Sequence, residues 1–355
     1  MSTICTYLRP DIANMAGYTP GEQPRVANIL KLNTNENPYP PPPAALAAIA
    51  SFAGPDGAER LRKYPDPLGT DFRAAAARVL GMAPENILIG NGSDDILTIL
   101  TRAFVPQGGI IASPTPSYLL YETLARLQGT RFNTVPFTPE WKLPVPWPLK
   151  GANITFLPNP NSPSGTIISN DEIRELAGTL NGPLVVDEAY ADFADTSAVD
   201  LVREGLPVVV TRTLSKGYGL AGLRFGYAVA DATLVEHLVK VKDSYNCDAL
   251  SLAAATAAIS DQAWLAENRA KVLATRARLE AELGRLGFAV TPSNANFVWC
   301  RHPVHPAKPL YSTLKDRGIL VRLMHYPPHE PGLRITVGTE EGTSRLLAEL
   351  ASLVA

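Results

Sequence analysis

Val208-Val209-Val210-Thr211-Arg212-Thr213-Leu214-Ser215-Lys216-Gly217 opens as a short β-branched strand and closes as a turn of small residues around one lysine. Upstream, Leu184-Val185-Val186 is another such strand, and Asp187 follows it directly. Further back, Asn86 to Gly90, Gly109 to Ala112 and Ile154 to Leu157 are short apolar runs. Between them, Asp95 to Phe104, Ser117 to Gln128 and Asp171 to Leu180 carry helical spacing. In the first of these, Ile96, Ile99, Leu100 and Phe104 share one face. Strands alternating with helices predict an α/β domain whose mostly parallel sheet is sandwiched by helices.

Past Asp248 the pattern changes. Leu252 to Ile259 is alanine-rich, a long charged helix spans about Gln262 to Leu286, and Phe297-Val298-Trp299 and Arg334 to Val337 read as strands before a last helix near Ser344 to Leu353. The expected division is an arm over 1–44, a large domain over 45–248 and a smaller α+β domain over 249–355, which the arm joins. Pro38 to Pro43, interrupted by Tyr39, is too proline-rich for a helix interior. Trp141 to Pro148 reads as a surface loop.

A chain of 355 residues with 46% hydrophobic and 19% charged residues suits a globular protein, and a net charge of −2 gives no reason to expect nucleic acid or an anionic membrane. Cys5, Cys247 and Cys300 are odd in number and far apart, which fits a reducing compartment. With no secretory leader pattern and no apolar run of membrane-spanning length, the cytoplasm is the expected location. A metal enzyme is a poor match. His302-x-x-His305 and His325-x-x-x-His329 lie in proline-rich segments without a carboxylate or cysteine to complete a set.

In an open α/β sheet, ligands bind at the carboxyl ends of strands. The polar residues there are Gly90-Asn91-Gly92-Ser93-Asp94, Asn159, Asp187, Tyr190, Ser215 and Lys216. The glycine loop is not a dinucleotide fingerprint, because Asp95 stands where the third glycine belongs. It opens a helix, so it is either an anion site or a turn capped by Ser93 or Asp94. Alone, Asp187 reads as a helix cap and Lys216 as a surface lysine. Arg224, eight positions past Lys216, changes that. Pyridoxal phosphate (PLP) needs a lysine to hold it, a carboxylate for its pyridine nitrogen and a cationic cup for its phosphate. Lys216, Asp187 and Arg224 with Ser215 fill those roles. Asn159 with Tyr190 would reach the ring hydroxyl, and Tyr118 would lie against the ring.

Ser215-Lys216 followed by Leu220-Ala221-Gly222-Leu223-Arg224-Phe225-Gly226 closely resembles the signature of fold-type I PLP enzymes. Within them the chain resembles the histidinol-phosphate aminotransferase family. The matching pieces are Leu32 to Pro38, Tyr64-Pro65-Asp66, Gly90 to Asp94, Val186 to Tyr190, Arg212 to Lys216 and Leu333 to Gly338, in order along nearly the whole chain. The resemblance implies that Lys216 binds PLP, that Asp187 holds the pyridine nitrogen and that Asn159 and Tyr190 reach the ring oxygen. It implies a phosphate held by Ser215 and Arg224, and by Tyr64 of a neighbouring subunit in a homodimer; the backbone of Gly92, Ser93 and Asp94 is expected to share it, and Thr213 is expected among the cofactor-binding residues. Tyr18, Asn37, Arg322 and Arg334 fall on the substrate side. The reaction implied is histidinol phosphate plus 2-oxoglutarate to imidazole acetol phosphate plus glutamate, in histidine biosynthesis. Aromatic aminotransferases and threonine-phosphate decarboxylases share these motifs and stay open as alternatives. Three departures stand out: Asn161-Ser162-Pro163-Ser164-Gly165 for the usual Asn-Asn-Pro-Thr-Gly, Asp94-Asp95 for Asp-Glu, and Gly217-Tyr218 for Ala-Phe after the lysine.

Overall fold

Residues 7–15, 17, 21–23, 28–326 and 330–355 are described by the computed structural model. Cys5, Tyr18 and His329 lie outside them. The first strand, β1 (Leu30–Lys31), is followed by β2 (Ile87–Gly90), β3 (Ile110–Thr115), β4 (Arg131–Pro136), β5 (Ile154–Pro158), β6 (Leu184–Asp187), β7 (Val208–Thr213) and β8 (Gly226–Val229). Among the described residues, β2 to β8 form a seven-stranded sheet in the order β2-β8-β7-β6-β5-β3-β4. β8 runs antiparallel to β2 and β7, and the other pairs are parallel. Successive side chains leave opposite faces of a strand, so Leu184 and Val186 join one apolar layer and Val185 the other. Helices cover both layers. Helix Ser93–Phe104 buries Ile96, Leu97, Ile99 and Leu100. Helix Asn170–Thr179 starts at Ser169, whose side chain accepts from the Glu172 N–H while Glu172 reaches back to the Ser169 N–H. Trp141–Pro148 is less superficial than its prolines suggest, because Trp147 is buried in the large core.

β9 (Ala289–Thr291), β10 (Phe297–Arg301), β12 (Arg322–Met324) and β13 (Gly332–Thr336) form a second, antiparallel sheet in the order β12-β13-β10-β9, while β11 (Ile319–Leu320) pairs parallel with β1. One face of this sheet, with Val298, Cys300, Leu333 and Ile335, forms a separate core with Leu279, Leu283 and Leu346. Trimming one such buried leucine to alanine costs about 2–5 kcal/mol. The expected boundary at 248 falls one helix too early. Helix Ala249–Ser260 puts Ala254, Ala255, Ala258 and Ile259 into the large-sheet core, against helices Pro43–Ala50 and Thr70–Leu80. Its side chains are small enough for close helix packing there. Helix Gln262–Arg285 then bridges the cores, with Leu265 against the first and Leu279 and Leu283 in the second.

Candidate active site

The carboxyl ends of β5, β6 and β7 open into a cavity of about 500 Å³, within the size range of small-molecule sites. Asp187 ends β6 and is 4% exposed. Its Oδ2 accepts from the Tyr121 hydroxyl at 2.8 Å and its Oδ1 from Thr211 Oγ1 at 3.2 Å. Burial pushes its carboxyl up to about 6, against the lowering effect of the Tyr121 bond. Lys216 Nζ donates to the Thr34 carbonyl at 3.0 Å and lies 5.9 Å from the centre of the Tyr190 ring. Burial, then the positive charge of Arg334, pulls its amine down to about 8, although Glu36 opposes this.

An anion cup lies beside them. Gly92, with φ 82°, occupies the N-cap of helix Ser93–Phe104, and no side chain caps that helix. Ser93 and Asp94 therefore belong to its first turn rather than serving as its cap, and both line the cavity. A Cβ on Gly92 would sit 2.6 Å from Arg224 Nη2, so the glycine lets the guanidinium lie over bare backbone. Arg224 Nη1 also reaches Ser215 Oγ at 3.5 Å, and Ser215 Oγ bonds Thr213 Oγ1 at 2.9 Å. Asp94 lies 3.5 Å from Arg224 and accepts from the Tyr118 hydroxyl at 3.1 Å.

The small sheet supplies the facing wall. Arg322 is paired with Arg334 across β12 and β13, so both leave the same face, and both line the cavity. Arg334 Nη1 donates to Ser162 Oγ at 2.9 Å and Nη2 to the Asn33 carbonyl at 3.1 Å, while its buried Nε has no hydrogen-bond partner among the described residues. Such a guanidinium suits a further anionic acceptor.

Two residues expected in the site are turned elsewhere. Asn159 does not present its amide to the cavity: Nδ2 donates to the Ile168 carbonyl at 3.0 Å and Oδ1 accepts from the Ile168 N–H at 2.8 Å. Ser162, three residues on, lines the cavity instead. Asn37 spends its Nδ2 on the carbonyls of Lys216 and Gly217, at 2.9 and 3.0 Å, so it braces the lysine loop rather than meeting substrate. Tyr64 is 81% exposed and stacks on Tyr245 at 4.4 Å, away from this chain's own cavity. Among the described residues no group of three or more His, Cys, Asp or Glu could hold a metal ion. Tyr121 and Thr211 escaped the sequence reading, since a tyrosine on an apolar helix face reads as core. The Gly217 departure has a local reason. A Cβ there would meet Asp192, 2.7 Å from its Cβ, and Asp192 pairs at 3.0 Å with the largely enclosed Arg212, which also pairs with Glu188 at 2.8 Å.

The chain is similar to the histidinol-phosphate aminotransferase of Rhodopirellula baltica, 53% identical over 340 residues, covering 94% of this chain and 92% of the relative. It is 47% identical to histidinol-phosphate aminotransferase 1 of Trichormus variabilis, covering 98% and 99%. The crystal structure of histidinol-phosphate aminotransferase from Sinorhizobium meliloti in complex with pyridoxal-5'-phosphate matches with a TM-score of 0.80 at 29% identity, covering 91% of this chain and 90% of that one. Residues 27–350 match the family described as aminotransferase class I and II. A lysine, a buried carboxylate and an anion cup thus converge in a fold shared with such enzymes over nearly its whole length, and the chain belongs to the aminotransferase class I and II family.

Proposed function

We propose that this protein moves the amino group of histidinol phosphate to 2-oxoglutarate, using PLP. The observation that carries the reading is one cavity with a buried amine, Lys216, lowered to about 8, at its floor and two strand-borne guanidinium groups, Arg322 and Arg334, on its wall. The shared name of relatives at 53% and 47% identity selects the substrate.

The residues present fit PLP. Asp187 is a buried carboxylate raised to about 6 that accepts from the hydroxyls of Tyr121 and Thr211, and a protonated pyridine nitrogen is the cationic partner it suits. The uncapped helix start, Ser215, Thr213 and Arg224 form a cradle for a phosphate. PLP supplies an electron sink for charge developing at the substrate's α-carbon. Asp187 would hold the pyridine nitrogen's proton, kept in place by Tyr121 and Thr211. Tyr190 would donate to the ring oxygen, with Ser162 nearby in place of Asn159. Lys216 would hold the cofactor. When its amine is released, the Thr34 carbonyl steadies it, and an amine lowered to about 8 moves a proton at the α-carbon near neutral pH. Arg322 and Arg334 would grip the phosphate of one substrate and a carboxylate of the other.

The exposed Tyr64 supports a homodimer in which it reaches the partner's phosphate cradle. Buried, unpaired Cys247 and Cys300 suit a cytoplasmic location. No helix of the described residues is long and apolar enough to cross a membrane.

The test compares kcat/KM for histidinol phosphate and phenylalanine, each with 2-oxoglutarate, in the wild type and in Arg322→Ala. Histidinol phosphate should be preferred, and the variant should lose about 10–100-fold on it while losing less on phenylalanine, the worth of one charge-assisted bond. A wild type preferring phenylalanine or tyrosine, or releasing carbon dioxide from threonine phosphate, would overturn the reading.

A further inference from the structure

Asn35 is 1% exposed and sits in the left-handed region at φ 57°. Few residues other than glycine tolerate that conformation, and asparagine is one of them. Its neighbours assign both ends of its amide. The Asn35 N–H donates to Thr336 Oγ1 at 3.0 Å, so the Thr336 proton is directed to Asn35 Oδ1, at 3.2 Å. Nδ2 therefore faces the other way, and it donates to the Tyr190 hydroxyl oxygen at 2.9 Å. The Asn35 carbonyl is held in turn by Asn296 Nδ2 at 3.0 Å. Thr336 ends β13 and Asn296 precedes β10, so the small sheet holds this asparagine from two strands.

The polarity of this relay matters. A tyrosine hydroxyl that accepts from Asn35 acts as donor in its second bond. Tyr190 lines the cavity beside Lys216, and its ring is fixed edge-on against Phe297 at 5.0 Å. The ring's place is thus set by packing, and the direction of its hydroxyl proton is set by Asn35. We propose that Asn35, oriented by Thr336, is a positioning residue that makes Tyr190 a hydrogen-bond donor into the cofactor cavity. The donor's direction is then imposed by the small sheet on a residue that follows β6 of the large one. The inference rests on the reading that PLP binds with its ring oxygen toward Tyr190. It does not depend on which amine is the substrate.

The test needs no substrate. The absorption spectrum of the PLP-loaded enzyme is titrated with pH, following the proton on the link between the cofactor and Lys216. A donor at the ring oxygen stabilises its anionic form, which accompanies loss of that proton, so losing the donor raises the midpoint. Tyr190→Phe should raise it. Asn35→Gly, which keeps the left-handed backbone, should raise it by roughly half to one pH unit. In the Tyr190→Phe background, Asn35→Gly should add nothing. Thr336→Val, which keeps the shape but removes the orienting hydroxyl, should shift the midpoint the same way by less, and Thr336→Ser should restore it. A wild-type midpoint in Asn35→Gly, or a further shift in the double variant, overturns the proposal. Should Asn35→Gly fail to fold, an unshifted Thr336→Val overturns it alone. PLP that binds and titrates normally in the wild type, with no histidinol phosphate turnover, would count against the proposed substrate and leave this inference standing.

Discussion

Replacing Tyr121 by phenylalanine isolates one hydrogen bond at the floor of the site. The ring stays stacked on Phe156 at 4.8 Å, so packing changes little. What is lost is the hydroxyl that donates to Asp187 Oδ2 at 2.8 Å, leaving Thr211 at 3.2 Å on the other oxygen. A hydrogen bond to a charged group contributes about 1.5–3 kcal/mol, and one pH unit corresponds to about 1.4 kcal/mol. Without the Tyr121 bond, the Asp187 carboxyl should rise from about 6 by about one to two units. The sign follows from which form binds. The ionised carboxylate holds the pyridine nitrogen, so PLP affinity is full above the folded-state value and falls as pH drops through it. Wild-type affinity should therefore fall below about pH 6 and that of Tyr121→Phe below about pH 7–8. Equilibrium binding of PLP to the apoenzyme across this range measures both midpoints, and ionisations of PLP itself cancel in the comparison. A variant whose midpoint coincides with the wild type would refute the reasoning.

Arg224→Ala should weaken PLP binding by about 10–100-fold with the fold intact, and unchanged affinity in equilibrium dialysis would put the phosphate elsewhere. Arg212→Met strands Glu188 and Asp192 without their cation, and it should lower stability by about 3–5 kcal/mol; urea unfolding showing a loss under about 1 kcal/mol would contradict the buried-ion account. In the wild type, borohydride should fix PLP on Lys216. Gly217→Ala, whose Cβ would overlap the Asp192 carboxylate, should displace the lysine loop and reduce that yield, and a normal yield with normal kcat would show that the loop has room.

The central strands were legible because they are buried on both faces: Leu184-Val185-Val186 must be apolar throughout when each side meets a helix layer. The edge strand β4 was not, since Arg131 and Pro136 are exposed and leave no apolar run to read. Helix Ala249–Ser260 was visible only as an alanine-rich run over Leu252 to Ile259 and was not assignable to a core. Its nearly uniform small side chains carry no stripe pointing either way, and only the fold shows that it docks on the large sheet. In the site, residues that follow strands or open a helix were found, because backbone direction brings them together. The errors came where a side chain's rotation decides. Asn159 and Ser162 share one loop, and which of them faces the cavity depends on a hydrogen bond to Ile168, nine positions away. Tyr121 was hidden because its ring is core and its hydroxyl is not.

The pairing of β1 with β11 governs the order in which the molecule can be completed. The large sheet closes within 87–229, but Leu30 and Lys31 pair as a strand with Ile319 and Leu320, and the Asn35–Thr336 contact spans 301 positions. At about 5–20 residues per second on the ribosome, the N-terminal strip waits on the order of 15–60 s for its partners to be made. In the last part of that wait the loop bearing Lys216 can already stand at the end of β7, while Asn35, which aims Tyr190, still lacks its anchor Thr336. A chain cut short before β11 keeps the strands of the large sheet but lacks both the partner strand of Leu30 and Lys31 and the Thr336 anchor of Asn35, so the setting of Tyr190 is completed only when translation is nearly finished.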